Sequence, residues 1–378
     1  MKKKLLMLVT LPPPMHGSNH VNQLVVENPL LKDQFDICVL PLNYVQAISE
    51  IGKFQCKKYL LFLGYWFRLF YLLFSYRADA AYFVPCVSGT TFLRDCAYVL
   101  LLRLFKVRTI LHLHAKGIAD GMNHPLYRRL YSWFFKNAWV VALSPGLYRD
   151  VSGFVSENRV RYLPNGTDFD EANMIKPTRS GQVQFLFLSN LVVTKGPMTL
   201  LEACRILKDR GLDFSTVFVG NPTKEIDSDL FNAQIQELGL EDRVTYLGPK
   251  YDTEKFEVLA SSHVMVFPTF KDCFPLVLLE AMAFALPVIS TFEGAIPEIV
   301  DEGKTGLLVK DRDPEALAAA MERFIRQPEL VEEYGQRGKA KFLANYTLEA
   351  FRKKSVDIFS ELLSEGSQEC TILPGESQ

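Results

Sequence analysis

Along most of this chain, short apolar runs rich in branched and aromatic residues alternate with longer stretches of helical period, and no other feature limits its fold so tightly. A strand, a helix and a second strand in that order cross over and pair in parallel, and parallel sheets need helices on both faces. In the first half the strands are expected at Lys4 to Val9, Phe35 to Leu40, Ala80 to Val84, Thr109 to His114, Trp139 to Leu143 and Val160 to Leu163. In the second half they are expected at Gln184 to Leu188, Phe214 to Val219, Val244 to Leu247, Val264 to Pro268, Pro287 to Ser290 and Gly306 to Val309. Two comparable sets predict two Rossmann-like α/β domains, and 378 residues are too many for one core. The stretch Asp170 to Gly181 follows neither period, so the domains are expected at 1–170 and 183–346, joined by a linker at 171–182. The polar end, 366–378, is expected to fray.

Charge divides the chain as the strands do. Met1 to Ser180 holds 22 Lys and Arg against 12 Asp and Glu, or +10; Gly181 to Gln378 holds 20 against 31, or −11. A basic first half suits phosphate groups or an anionic membrane. Aromatic residues at 12% and a net charge of −1 exclude disorder as the main state. Seven cysteines with no CxxC pair argue against a disulfide framework or a zinc site and for a reducing cytoplasm. The start, MKKKLLMLVTL, resembles a secretory signal, but its apolar run is short, prolines follow at Pro12 to Pro14, and no A-x-A site appears; it is read as the first strand.

Tyr59 to Tyr76, YLLFLGYWFRLFYLLFSY, is apolar on nearly every helical face. Its length approaches a membrane span, yet Arg68 at its middle would cost about 2.5 to 3.5 kcal/mol there. A helix buried in the first domain and an interfacial helix flanked by Lys53, Lys57, Lys58 and Arg77 are the two other readings, and opposite faces can serve both.

The stretch most informative for chemistry is TFKDCFPLVLLEAMAFALP, Thr269 to Pro287. A strand, a loop and a helix starting at Pro275 leave the N–H groups of Leu276 and Val277 facing the end of the sheet, a ready anion site. Asp272 lies on the loop, and Glu280, eight residues on, can accept both hydroxyls of a vicinal diol such as a ribose. A loop carboxylate and a helix-surface glutamate are the plainer alternative.

This stretch resembles the E-x7-E motif, with its following AMA-x-G-x-PVI, of family 4 glycosyltransferases. Ordered matches run from residue 12 to residue 309: PPPMHG at Pro12 to Gly17, LHLHAKG at Leu111 to Gly117, LSPGL at Leu143 to Leu147, LPNGTD at Leu163 to Asp168, LSNLVVTKG at Leu188 to Gly196, FVGNP at Phe218 to Pro222, VTYLG at Val244 to Gly248 and GAIPEIVDEGKTGLLV at Gly294 to Val309. The resemblance implies the GT-B fold, two Rossmann-like domains facing a cleft, with a C-terminal helix (347–365) returning to the first domain. It implies retaining transfer of a hexosyl group from a UDP- or GDP-sugar to a hydroxyl of a glycan or lipid-linked acceptor.

Carried over residue by residue, the resemblance has Glu280 hold the ribose and Lys195 neutralise the pyrophosphate, while His114 contacts the donor sugar and Asp272 orients a hydroxyl. Gly17 admits the donor close to the backbone. Asn190, Phe274, Leu276 and Val277 are counted with the donor contacts, Tyr246 to Gly248 with the base, and Asn165 and Gly166 with the hinge. His112 shares a strand face with His114 and is expected to be structural. Three departures stand out: Asp272 for the first glutamate, Pro275 for a loop glycine, and Asn190 where an arginine is common.

No metal or other cofactor is expected, since Lys and helix N–H groups can bear the phosphate charge. Asp168 with Asp170, Asp227 with Asp229 and Asp311 with Asp313 form D-x-D triplets; Asp313, before Pro314 and Glu315, is read as a helix cap. A nucleic-acid partner is not expected. A nucleotide-sugar epimerase of the same fold and a non-catalytic nucleotide-sugar-binding partner are the alternatives. Location at the cytoplasmic membrane's inner face, against its anionic surface, follows from the basic first half and the aromatic segment.

Overall fold

The structure, a computed structural model, describes residues 2–13, 17–44, 56–167 and 181–364. The linker expected at 171–182 and the tail at 366–378 therefore fall almost wholly, and the Asp168–Asp170 triplet wholly, outside the described residues. The chain divides into two compact units, one of Met1–Asn165 with Glu349–Gln378 and one of Gly166–Leu348.

The first unit is a six-stranded parallel sheet of β1 (Lys3–Val9), β2 (Phe35–Pro41), β3 (Ala80–Phe83), β4 (Arg108–Leu113), β5 (Trp139–Ala142) and β6 (Val160–Tyr162), in the order β2-β1-β3-β4-β5-β6. Leu5 to Val9 are fully buried, as a strand covered on both faces must be. The covering helices are α1 (Gly17–Val26), α2 (Pro29–Gln34), α3 (Cys56–Ser75), α4 (Gly89–Leu104), α5 (Ile118–Gly121) and α6 (Pro125–Phe135). The C-terminal helix α14 (Leu348–Ser364) is part of this unit: Phe359 packs on Tyr82 with ring centroids 5.3 Å apart, and Lys3 and Arg108 donate to the carbonyls of Leu363 and Leu362.

The second unit repeats the plan with β7 (Gln184–Leu188), β8 (Ser215–Val219), β9 (Val244–Tyr246), β10 (Val264–Phe267), β11 (Val288–Thr291) and β12 (Gly306–Val309), in the order β12-β11-β10-β7-β8-β9. Its helices are α7 (Pro197–Asp209), α8 (Ser228–Glu237), α9 (Asp252–Ser261), α10 (Leu276–Ala283), α11 (Ile296–Ile299), α12 (Pro314–Arg326) and α13 (Glu329–Asn345). The chain lays β7, β8 and β9 outward in one direction, then returns to set β10, β11 and β12 in the other. The sheet therefore reverses between β7 and β10, where the loops leaving the two strands diverge and open a crevice at their carboxyl ends.

All twelve expected strands are present, each within two residues of its expected ends. The segment Tyr59 to Tyr76 forms most of α3. One stripe, including Leu69 and Leu73, is buried in the core with Tyr65, Trp66 and Leu72 packed beside it. The opposite stripe, Tyr59, Leu60, Leu63, Phe67, Phe70, Tyr71 and Phe74, is exposed. Among the described residues no helix is long and apolar enough to cross a membrane.

Candidate active site

The reversal point of the second sheet gathers the charged candidates. After β7 the chain makes a single 3-10 turn at Val193–Lys195 and passes into α7 through Gly196, whose φ is 79°. A Cβ there would meet the Pro268 carbonyl oxygen at 2.2 Å, so only glycine lets this turn lie against the end of β10. The two loops are bonded as well: Phe270 N–H and the Thr269 hydroxyl donate to the Thr194 carbonyl at 2.9 and 3.0 Å. Lys195 is thereby aimed across the crevice, where its Nζ lies 2.6 Å from Asp272 Oδ2. Both side chains are mostly buried, and Nζ also donates to the Lys271 carbonyl at 3.3 Å. A lysine in this setting is a mobile point charge held ready by a carboxylate, and an incoming phosphate would compete for it.

The Asp272 loop is itself shaped by residues that the sequence reading did not single out. Asp272 N–H donates to Glu293 Oε1 at 3.0 Å, and Ala295 N–H to the Cys273 carbonyl at 2.8 Å. Gly294, at φ 57°, sits so close that a Cβ would be 2.5 Å from the Asp272 carbonyl oxygen. Gly294 opens the quoted GAIPEIV stretch, so the signal was in view; its purpose was not.

α10 begins at Leu276, one residue later than expected. Pro275 takes the N-cap position with extended backbone (ψ 113°), because it cannot donate but can accept: its carbonyl receives the Leu278 N–H at 3.2 Å. Leu276 and Val277 are half-buried in the first turn. Glu280 follows one turn later, mostly buried, with Oε1 3.0 Å from Lys255 Nζ of α9. A carboxylate on that helix face thus has a cation beside it, which fixes its rotamer while leaving the second oxygen outside that contact. Nothing in the spacing of Lys255 pointed to this role.

Other residues expected at the donor have partners within the unit. Phe274 is buried in the core of the unit, its ring 6.1 Å from that of Tyr346; an aromatic side chain next to the helix start fills the core more favourably than it lines a polar crevice. The Tyr246 hydroxyl donates to the Gly220 carbonyl at 2.9 Å. Two backbone groups of the loop expected at the base extend the sheet, Leu247 N–H with the Phe218 carbonyl at 3.0 Å and the Gly248 carbonyl with Gly220 N–H at 3.0 Å. Asn190 Oδ1 accepts from Asn221 N–H and Nδ2 at 3.2 and 3.1 Å, tying the loops after β7 and β8 together beside the crevice. Asp227 and Asp313 are N-caps of α8 and α12, accepting from Leu230 and Ala316 N–H at 2.8 and 2.9 Å.

In the first unit, Gly17 is the exposed first residue of α1, after β1, at the point where that sheet reverses between β1 and β3. His114 directly follows β4 and is half-buried. Its Nε2 lies 3.2 Å from His112 Nδ1, which is also 2.6 Å from the Tyr82 hydroxyl. Burial lowers the His114 pKa to about 4 and that of His112 well below its ordinary value, so both rings are neutral at physiological pH. A neutral imidazole at a strand end can donate or accept one hydrogen bond without adding charge. At the unit boundary Asn165 is buried, its Oδ1 without a partner among the described residues, and Thr167, just beyond Gly166, donates to the Tyr346 carbonyl at 3.0 Å.

Residues 168–341 match the family described as "Glycosyl transferases group 1". The D-inositol 3-phosphate glycosyltransferase of Corynebacterium glutamicum (strain R) is 35% identical over 138 residues, 36% of this chain and 33% of that protein. Matched segments cover a third to a half of such curated relatives' own lengths. Among solved structures, a glycosyltransferase from Rickettsia africae ESF-5 aligns over 96% of this chain and 99% of its own with a TM-score of 0.74 at 18% identity. Anabaena HepE in complex with UDP aligns over 95% of this chain and 100% of its own, with a TM-score of 0.70 at 16% identity. At such identities the likeness establishes architecture: two six-stranded parallel α/β units of the GT-B type.

Proposed function

From the match of residues 168–341 to the glycosyl transferases group 1 family, we propose that this chain is a retaining hexosyltransferase. It takes a UDP- or GDP-sugar as donor and a hydroxyl of a glycan or lipid-linked molecule as acceptor, in the assembly of a surface polysaccharide. The observation that carries the reading is the Lys195–Asp272 pair at the reversal point of the second sheet, with the start of α10 and Glu280 on the same loop-and-helix unit. Lys195 takes the departing pyrophosphate, the first N–H groups of α10 bear the remaining charge, and Glu280 accepts the ribose hydroxyls. His114, neutral, serves the donor sugar. The chemistry requires no metal ion on this reading, because a lysine and a helix terminus do its work. UDP is a ligand of the structurally similar HepE, which favours a nucleotide-sugar donor here.

The first unit is read as the acceptor side, lying on the anionic inner face of the cytoplasmic membrane through the exposed stripe of α3. The test is incubation with a panel of UDP- and GDP-sugars, with and without membrane extract, scored for released nucleotide and labelled lipid. Release that requires extract and persists in EDTA is expected. Loss in EDTA with rescue by magnesium or manganese would overturn the metal-free account, and turnover of donor without acceptor would favour an epimerase.

A further inference from the structure

Helices α3, α4 and α6 run antiparallel to the strands they precede, so their C-termini meet at the edge where the strands of the first sheet begin. That edge is opposite the one bearing Gly17 and His114. It holds a cavity of about 930 Å³, bordered by the starts of β1, β4 and β5 and by the end of α14. Six cationic side chains line it, Lys3, Arg103, Lys106, Arg108, Lys136 and Arg159, against the single carboxylate of Asp79.

Part of that charge has an internal use. Arg103 donates to the carbonyls of Phe134 and Lys136 at the end of α6, and Lys3 and Arg108 cap the end of α14. Capping does not account for Lys106 and Lys136, whose exposed side chains have no hydrogen bond or ion pair among the described residues. Lys106 also has φ 55°, the left-handed backbone after α4 where glycine is cheaper, so a cation stands there at a conformational cost.

The cavity adjoins the exposed apolar surface. α3 packs on α4, with Phe70 and Phe105 rings 5.5 Å apart, and Leu100 and Leu104 of α4 are exposed close in sequence to Arg103 and Lys106. Apolar side chains that enter the acyl boundary beside a pocket of cations match a phospholipid in both its parts. We propose that this cavity binds the phosphate headgroup of an anionic glycerophospholipid while the α3 and α4 side chains insert beside it. This rests on the membrane reading above and deepens it: it sets the amino-end edge of the first sheet, not the edge bearing the donor residues, against the bilayer.

The test uses flotation of the full chain with phosphatidylcholine vesicles, with and without phosphatidylglycerol, comparing wild type with a Lys106→Gly, Lys136→Gln double variant. Glycine suits the backbone at position 106, so the variant should fold at least as well, which its melting temperature checks. Each basic residue at an anionic surface contributes about fivefold, so the variant should bind phosphatidylglycerol vesicles about 25-fold more weakly, with a shallower salt dependence. Neutral vesicles should distinguish the proteins little. Equal binding of the two proteins to anionic vesicles would overturn the cavity assignment and leave the membrane reading standing. No flotation of the wild type at low salt would overturn both. Displacement from the vesicles by millimolar inorganic phosphate would assign the cavity to a soluble phosphate instead, overturning the lipid assignment.

Discussion

The two units share one architecture and treat their surfaces in opposite ways. The second carries surface ion pairs, such as Arg210 with Glu315 and Glu322 at 2.7 and 2.8 Å, Lys208 with Asp242 and Arg205 with Asp209. Most of the exposed large apolar residues among the described ones lie in the first unit, on α3 and α4 above all. The contrast continues at the carboxyl ends of the strands: the second unit presents Lys195, Asp272, Lys255 and Glu280, the first a pair of neutral histidines. A doubly wound sheet fixes where loops converge but not what they carry.

Replacing Lys195 should produce the largest effect. Lys195→Ala should lower kcat/KM for transfer by about 100-fold or more, through loss of charge on the leaving group, with little change in melting temperature. Near wild-type turnover at normal stability would end the claim that the second unit's charges serve chemistry.

The first unit's neutral histidines should instead appear in stability. His114 has an ordinary pKa of 6.5 and a native one of about 4, so the unfolded chain takes up a proton in this window that the native state refuses. Its contribution is complete above pH 6.5 and is lost as pH falls toward 4. Asp95, raised to about 6 by burial, acts in the opposite sense between pH 6 and 3.8. Urea unfolding at pH 7.5 and pH 5 should show a His114→Gln variant losing about 1 to 2 kcal/mol less than wild type on acidification. Equal losses would mean that His114 protonates freely in the native state.

A smaller effect is expected at Lys255. With its Nζ 3.0 Å from Glu280 Oε1, Lys255→Met should leave the carboxylate present but poorly oriented. The KM for donor should rise about three- to tenfold with kcat little changed, a loss of the order of one ordinary hydrogen bond. A fall in kcat alone would place Lys255 in the reaction itself.

The smallest effect is expected on the outer stripe of α3. Phe67→Ser with Phe74→Ser should change stability by less than about 0.5 kcal/mol per site, because both side chains are exposed. Leu69→Ser, at a fully buried position, should cost about 2 to 5 kcal/mol. Similar costs on both stripes would mean that the outer one is covered in the folded protein.

The strands were legible because a buried parallel strand has no polar face to blur its pattern; even MKKKLLMLVTL resolved into β1 with Leu5 to Val9 inside. The Lys195–Asp272 and Glu280 neighbourhood was partly legible, since spacing along a loop and helix reports what lies on one crevice wall. Lys255 and Glu293 escaped because they reach it across the fold, 25 residues before Glu280 and 21 after Asp272, where no local period operates. The burial of Phe274 was not legible for a related reason: sequence shows that a residue is near the crevice, not whether its side chain turns into the core. For α3, composition could not separate the stripe that packs from the stripe that does not.

The most direct measurement is calorimetric titration of UDP and GDP, in EDTA, into the wild-type chain and the Lys195→Ala variant. One of the two nucleotides is expected to bind the wild type without metal and to bind the variant at least about tenfold more weakly, as loss of a charge-assisted phosphate contact implies. Absence of binding by either nucleotide, or equal affinity for the two proteins, would contradict it.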